Sequence, residues 1–317
     1  MLSPDEAGCL AETFDLGSQP RLEGPVARGQ LGQIWRLDTS AGRFAVKEWF
    51  ASPDPEEICR GADFSERARA GGLVTPRVIR TIHGDVTTTV GDTIVRVSEW
   101  MDLEERTRAL DPELVGTAVA RLHRAGLPTD EPVARWFWEG FGPVAWYALL
   151  ERLVDADAPF AADFAPYVGP LIEVESVMEL HETRVVCHRD LWADNVLPTT
   201  DGQVCVIDFD NMGPADPSHE LAMILYEFGD DDADRVRAVH SAYVACGGPA
   251  RVTRAGHFSM LIAEQAHIAH YAASRWIGES DKVERLRLEA WFRELLDDPV
   301  TLPRIARILD ALPQYRP

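Results

Sequence analysis

Between Val185 and Asp210 the chain reads "VVCHRDLWADNVLPTTDGQVCVIDFD", and this block limits the fold more than any other stretch. Two runs of strand formers, "NVLP" and "VCVID", flank the turn "TTDGQ", so a short hairpin is the only regular structure with room to form. Each run borders on acids instead of apolar residues. His188, Asp190, Asp194 and Asn195 fall within eight positions, and Asp208 lies thirteen positions beyond Asn195, at the end of the returning strand. A fold built on this sequence must bring both polar ends to one place.

Around the block the texture is uneven. Residues 21–50 read as paired strands, "QIWRLD" and "RFAVKEW" joined by the turn "TSAG". The spacing of Ile58, Phe64 and Ala68 from Pro55 to Gly72 predicts a helix, and "TPRVIRTIHGDVTTTVGDTIVRVSEWM" predicts two or three further strands. After Met101 helical periodicity takes over. "DPELVGTAVARLHRAG" places Leu114, Ala118 and Leu122 on one face, and helical patterns fill residues 143–182, 218–246, 254–276 and 282–312. The expected layout is α+β, with a strand-rich N-terminal domain over 1–101 and a helix-rich domain over 102–317.

Composition narrows the function classes. With 46% hydrophobic and 26% charged residues the chain is that of an ordinary globular protein, and no apolar run suits a membrane span. The start, "MLSPDEAGCLAETFDLG", lacks the layout of a secretion signal, and Cys9, Cys59, Cys187, Cys205 and Cys246 are scattered without a C-x-x-C, so a cytoplasmic protein with reduced thiols is expected. A formal net charge of −21 argues against nucleic acid and anionic membranes as partners and is compatible with a cationic small molecule. No obligate protein partner is implied.

The polar residues make chemical sense together. An amide and a carboxylate, Asn195 and Asp208, suit a hard divalent cation such as Mg2+, which takes few protein oxygens. Asp190 is then available to accept a proton, and Lys47, mid-strand in "FAVKEW", is either a surface residue or a cation facing phosphate oxygens. Phosphoryl transfer needs charge neutralisation, metal ligands and an aligned base. A lone "HRD" is more often a capped turn, and a lone "AVK" an ordinary strand; the ordered set at these spacings is specific.

On these motifs the chain resembles the aminoglycoside phosphotransferase and choline kinase family, small-molecule relatives of the protein kinases. The matching stretches are "FAVKEW", "AVARLHRAG", "VVCHRDLWADNVL", "VCVIDFDNMGPADPSHELA" and the helical tail, from about residue 22 onward. The resemblance implies a two-lobed protein-kinase-like fold, an antiparallel N-terminal sheet lobe with one helix and a larger, mainly helical C-terminal lobe. It implies Asp190 as catalytic base, Asn195 and Asp208 as Mg2+ ligands and Lys47 as the phosphate-binding lysine. Backbone groups of Glu99 and Met101 in "SEWMD" would meet the adenine of ATP (or GTP), and Asp216 would hold the catalytic loop. The full glycine-rich motif is absent; Gly29 and Gly32 in "ARGQLGQIW" allow a looser approach to phosphate. The helix acid that should pair with Lys47 falls near Gly61 by counting, which makes Glu57, one turn earlier, the candidate.

Only seven residues separate Asp208 from Asp216, too few for a peptide-docking segment, so the acceptor is expected to be a small molecule with a hydroxyl group. Trp192, Asp194 and Glu264 are the candidate acceptor contacts; for Trp192 and Asp194 the structural alternatives are a packing plug and a turn cap. The aromatic cluster "FWEGFGPVAWY" reads as core. The expected activity is ATP- and Mg2+-dependent transfer to an aminoglycoside-like antibiotic or amino sugar. The alternatives are a metabolic kinase of choline, ethanolamine, homoserine or a sugar, and a catalytically silent kinase-shaped binding module.

Overall fold

The computed structural model describes residues 2–29, 31–180 and 183–313. Contacts divide the chain into two compact units. The first comprises the residues up to Thr107 together with Asp194–Met212; the second comprises Arg108–Ala193 and the residues from Gly213 onward. A boundary at Met101 follows chain order. The units do not, because the hairpin that carries Asn195 and Asp208 packs with the N-terminal segment, through isolated bridges from Val74 to Cys205 and from Leu103 to Thr199.

In the first unit, helix α1 (Ala7–Thr13) precedes strands β1 (Arg21–Arg28), β2 (Gly32–Thr39) and β3 (Gly42–Trp49), helix α2 (Pro55–Ala70), and strands β4 (Val78–Ile79), β5 (Thr87–Val90) and β6 (Thr93–Glu99). The strands form one antiparallel sheet in the order β1-β2-β3-β6-β4, with β5 on β6. Alternation along β3 sends Phe44 and Val46 to one face, where Leu37, Val95 and Val97 meet Leu10 and Phe14 from the N-terminal segment. That segment therefore adds a second helix beyond the one expected. Trp49 joins Ile58 and Ala62 of α2 in a second cluster. Helix α2 starts where Asp54 accepts the Glu56 amide.

The second unit begins with helices α3 (Pro112–Ala125) and α4 (Gly142–Asp155), the single turn α5 (Ala161–Phe164) and α6 (Val168–Glu175). Strand β7 (Val185–Cys187) then leads into the loop that carries Asp190. Strands β8 (Val196–Pro198) and β9 (Val204–Val206) form the hairpin of the first unit, and β10 (Gly213–Ala215) returns to pair with β7. Helices α7 (Pro217–Gly229), α8 (Ala233–Ala245), α9 (Ser259–Gly278), α10 (Lys282–Asp297) and α11 (Leu302–Ala311) complete the unit. Helix α3 buries Val115, Ala118, Val119 and Leu122; Leu114, expected on that face, is 38% exposed. Helices α4, α9 and α10 share a core of Trp146, Phe160, Phe164, Trp276 and Phe292. No described helix is long and apolar enough to cross a membrane.

Candidate active site

The sheet register creates the first unit's central problem. Lys47 on β3 and Arg96 on β6 are direct cross-strand partners, two cations side by side on one face. Like charges so placed repel. Asp210 resolves this by lying between them, with Oδ2 2.7 Å from Lys47 Nζ and Oδ1 2.7 Å from an Arg96 guanidinium nitrogen. The Trp49 indole N–H also donates to Asp210, at 3.1 Å. All three charged side chains are largely buried, at 11%, 12% and 10% exposure. Burial alone would raise the Asp210 carboxyl, but the Arg96 and Lys47 charges outweigh it and hold the group well below the usual carboxylate range.

Lys47 also donates to both oxygens of Asp208, at 2.7 and 2.9 Å. The acid partners of Lys47 are thus Asp208 and Asp210, and the expected pairing with Glu57 does not form. Glu57 lies in the exposed first turn of α2, with Arg60 3.9 Å away. A longer residue has no space at the counted position. A Cβ on Gly61 would stand 2.9 Å from the Phe209 carbonyl oxygen, so α2 approaches the acidic strand end as bare backbone, beside the Phe64–Phe209 ring contact.

The β8–β9 hairpin has the expected polar ends. Val196 pairs with Val206, and the Ile207 amide donates to the Asn195 carbonyl at 3.0 Å, so Asp208 directly follows the residue opposite Asn195. Asp208 has φ 59°, and Arg189, next to Asp190, has φ 62°; both occupy the left-handed region that side-chain-bearing residues avoid. Such strain collects at functional sites. For a divalent cation the donors here are an amide and a carboxylate, both hard oxygen ligands, and Asp208 is 39% exposed. Among the described residues no group of three or more His, Cys, Asp or Glu could hold a metal. A two-residue oxygen set fits Mg2+, which keeps water and phosphate ligands, and fits zinc poorly.

The remaining expected nucleotide contacts have distinct local reasons. A Cβ at Gly32 would lie 2.3 Å from the Glu48 carbonyl oxygen, so glycine is required there for strand packing. Gly29 closes the turn by donating to the Gly32 carbonyl at 2.9 Å; Gln30 lies outside the described residues. At the end of β6 the Glu99 amide donates to the Arg77 carbonyl and the Trp100 amide to the Arg43 carbonyl, and the half-buried Met101 follows. Asp194, a candidate acceptor contact, takes Arg106 in a forked pair at 2.9 and 2.7 Å, with both side chains 60% exposed.

The second unit carries Asp190 and holds its loop from helix α7. The amides of His188, at 3.3 Å, and of Arg189 donate to the Glu220 carboxylate, and the Ala193 amide donates to Glu227 at 3.1 Å. Glu220 also bonds His123 at 2.9 Å, and His123 bonds the Tyr243 hydroxyl at 2.8 Å. Burial would raise the Glu220 carboxyl, but its hydrogen bond to His123 and the imidazole's charge lower it. Asp216, expected to hold the catalytic loop, caps α7 through the Ser218 amide and accepts the Thr183 amide. Glu220, one turn further on, also holds the loop. Glu264 is buried on α9, its carboxyl pushed well up by burial and then by the Asp190 and Glu220 carboxylates. Trp192 is half-buried.

A family model described as "Phosphotransferase enzyme family" matches residues 24–257, and no curated protein matches. Among solved structures, the chain is similar to an aminoglycoside phosphotransferase from Alicyclobacillus acidocaldarius subsp. acidocaldarius, at 19% identity and TM-score 0.64, over 98% of this chain and 96% of that one. A spectinomycin phosphotransferase in complex with ADP and spectinomycin is similar at 13% identity and TM-score 0.71, over 98% and 99%. A microcompartment-associated aminopropanol kinase is similar at 16% identity and TM-score 0.61, over 92% and 94%. At these identities the likeness establishes a shared protein-kinase-like fold.

Proposed function

Because the chain belongs to the phosphotransferase enzyme family, we propose that it is a small-molecule kinase, moving the γ-phosphoryl group of ATP (or GTP) to an alcohol. The observation that carries this reading is the anchoring of Lys47: a cation held by Asp210 against Arg96 and aimed at Asp208 has one chemical use in this family, to meet phosphate oxygens. Asn195 and Asp208 would hold Mg2+, which when bound neutralises phosphate charge and orients the transferred group. Asp190 accepts the proton of the attacking hydroxyl. The alcohol oxygen forms the new bond to phosphorus, the bond from the γ-phosphorus to the bridging oxygen breaks, and ADP leaves with that oxygen's electron pair.

The backbone at Glu99 and Met101 would meet the adenine, and the turn from Gly29 to Gly32 would lie over the phosphates. The relatives' acceptors, spectinomycin and an amino alcohol, support a small polar acceptor with a hydroxyl. An aminoglycoside-like antibiotic or amino sugar fits that class, as does a metabolic amino alcohol, handled in the cytoplasm where ATP is supplied. The test is an ADP-release screen with MgATP over aminoglycosides, amino sugars and amino alcohols, run beside Asp190→Ala. The variant should bind MgATP with unchanged affinity and lose transfer by at least a thousandfold. Turnover within tenfold of the parent would remove Asp190 from its role.

A further inference from the structure

The second unit contains a cleft of about 720 Å³ between the segment around Trp136 and helix α9. Its walls are rings. Trp136 stacks on His267 with centroids 4.8 Å apart, and Phe141 stacks on His270 at 4.2 Å and 8°. Tyr271, Ser274 and Arg275 continue the wall along α9, to Gly278 and Glu279. Residues 264, 267, 271, 275 and 278 share one helical face, so Glu264, buried one turn before His267 of the lining, lies on the same side of α9, and its carboxyl is perturbed by the Asp190 charge. A second link leads to the same loop. The Arg189 guanidinium lies 4.2 Å over the Phe137 ring, and residues 136 and 137 belong to one 3₁₀ turn, Arg135–Phe137. That turn touches the catalytic segment on one side and His267 on the other. The aromatic cluster read as core from sequence is therefore split: Trp146 is core, while Trp136, 38% exposed, and Phe141 face the cleft.

The electrostatics of the cleft select its ligand. Burial lowers both His267 and His270, which keeps the imidazoles neutral near pH 7. Among the described residues of the lining, the single carboxylate, Glu279, lies 4.0 Å from the single guanidinium, Arg275. The lining thus carries no net charge despite the acidity of the chain. A polyammonium ligand needs several carboxylates to replace its hydration, and this wall offers one, already paired. Neutral rings stacked in pairs suit a planar, uncharged ring system.

We infer that this cleft is the acceptor subsite and that the acceptor is an uncharged hydroxyl-bearing molecule with a planar ring, such as an aryl glycoside, and not a polycation. The inference rests on the kinase reading, with the acceptor's alcohol directed toward Asp190.

Calorimetric titration without nucleotide separates the two readings. Phenyl β-D-glucopyranoside is the planar uncharged probe and kanamycin the polycationic one, with MgATP titrated in parallel. Phenyl glucoside should bind in the millimolar range or tighter and more tightly than kanamycin, and Trp136→Ala should weaken it about tenfold with an unchanged melting temperature. Tighter binding of kanamycin, no binding of the glucoside, or an unchanged glucoside affinity in Trp136→Ala would overturn the inference. Failure of MgATP to bind would sink the kinase reading whatever the probes do; intact MgATP binding with a failed probe sinks this inference alone.

Discussion

Removing the Asp210 carboxylate by Asp210→Ala should expose the conflict it suppresses. Lys47 and Arg96 would remain cross-strand neighbours, both nearly buried, with no anion between them. Breaking a buried ion pair by deleting one partner costs about 3–5 kcal/mol, and the lost Trp49 hydrogen bond adds about 1 kcal/mol. Lys47 keeps Asp208 at 2.7 Å, which places the expected loss near the lower end, about 3 kcal/mol. Arg96→Met alone should cost less, because it leaves the Asp210 carboxylate with Lys47. In the double variant Arg96→Met/Asp210→Ala the stranded guanidinium is gone, so the two losses should fall short of additivity by about 1.5 kcal/mol or more. Urea unfolding at pH 7 with linear extrapolation measures all four corners. The Asp210 carboxyl is lowered in the folded protein, so its contribution is full above the ordinary carboxylate value and fades as the pH falls toward the folded one. Strict additivity at pH 7, or an Asp210→Ala loss below about 1 kcal/mol, would refute the charge-bridging role.

Other substitutions test other parts of the site. Glu264 is raised in the folded state, so its contribution to stability is complete below the ordinary glutamate value and declines as the pH rises through the folded one; Glu264→Gln should flatten this decline and give the more stable protein at pH 8 by thermal denaturation. Glu220→Ala strands His123 and two loop amides and should cost about 3–5 kcal/mol in urea unfolding, with Glu220→Gln losing distinctly less. Gly32→Ala drives a methyl group into the Glu48 carbonyl and should cost about 1–3 kcal/mol by the same measurement. Asp194→Ala breaks only an exposed pair with Arg106 and should change stability by less than about 1 kcal/mol.

Legibility from sequence followed the range of the interactions. The hairpin, the capped helices α2 and α3 and the strands around Lys47 were readable because period, turn residues and caps are local signals. The partner of Lys47 was misassigned to Glu57 because it depends on how closely α2 approaches Phe209, a tertiary fact recorded only in the smallness of Gly61. Two signals for the actual arrangement were present. "IDFDN" carries a second acid two positions after the first, and "IVRV" sets an arginine among strand formers, on the strand face opposite Val95 and Val97. Glu220 and Glu227 announce themselves likewise, as the two acids in "HELAMILYEF", a run too apolar to be a surface helix. The cleft at Trp136 left no such trace, since aromatic residues at helical spacing mark core and binding wall alike.

Glu220 and Glu227 lie seven residues apart on α7, about two turns or 10 Å, and so project from nearly the same side of the helix. What they grip is main chain: the amides at 188, 189 and 193. Because every residue type but proline carries an amide hydrogen, these three anchors do not depend on side-chain chemistry, although His188, Leu191 and Ala193 are also buried. Trp192, half-buried between the buried Leu191 and Ala193, lies outside the gripped amides, so an exchange there leaves all three anchors in place.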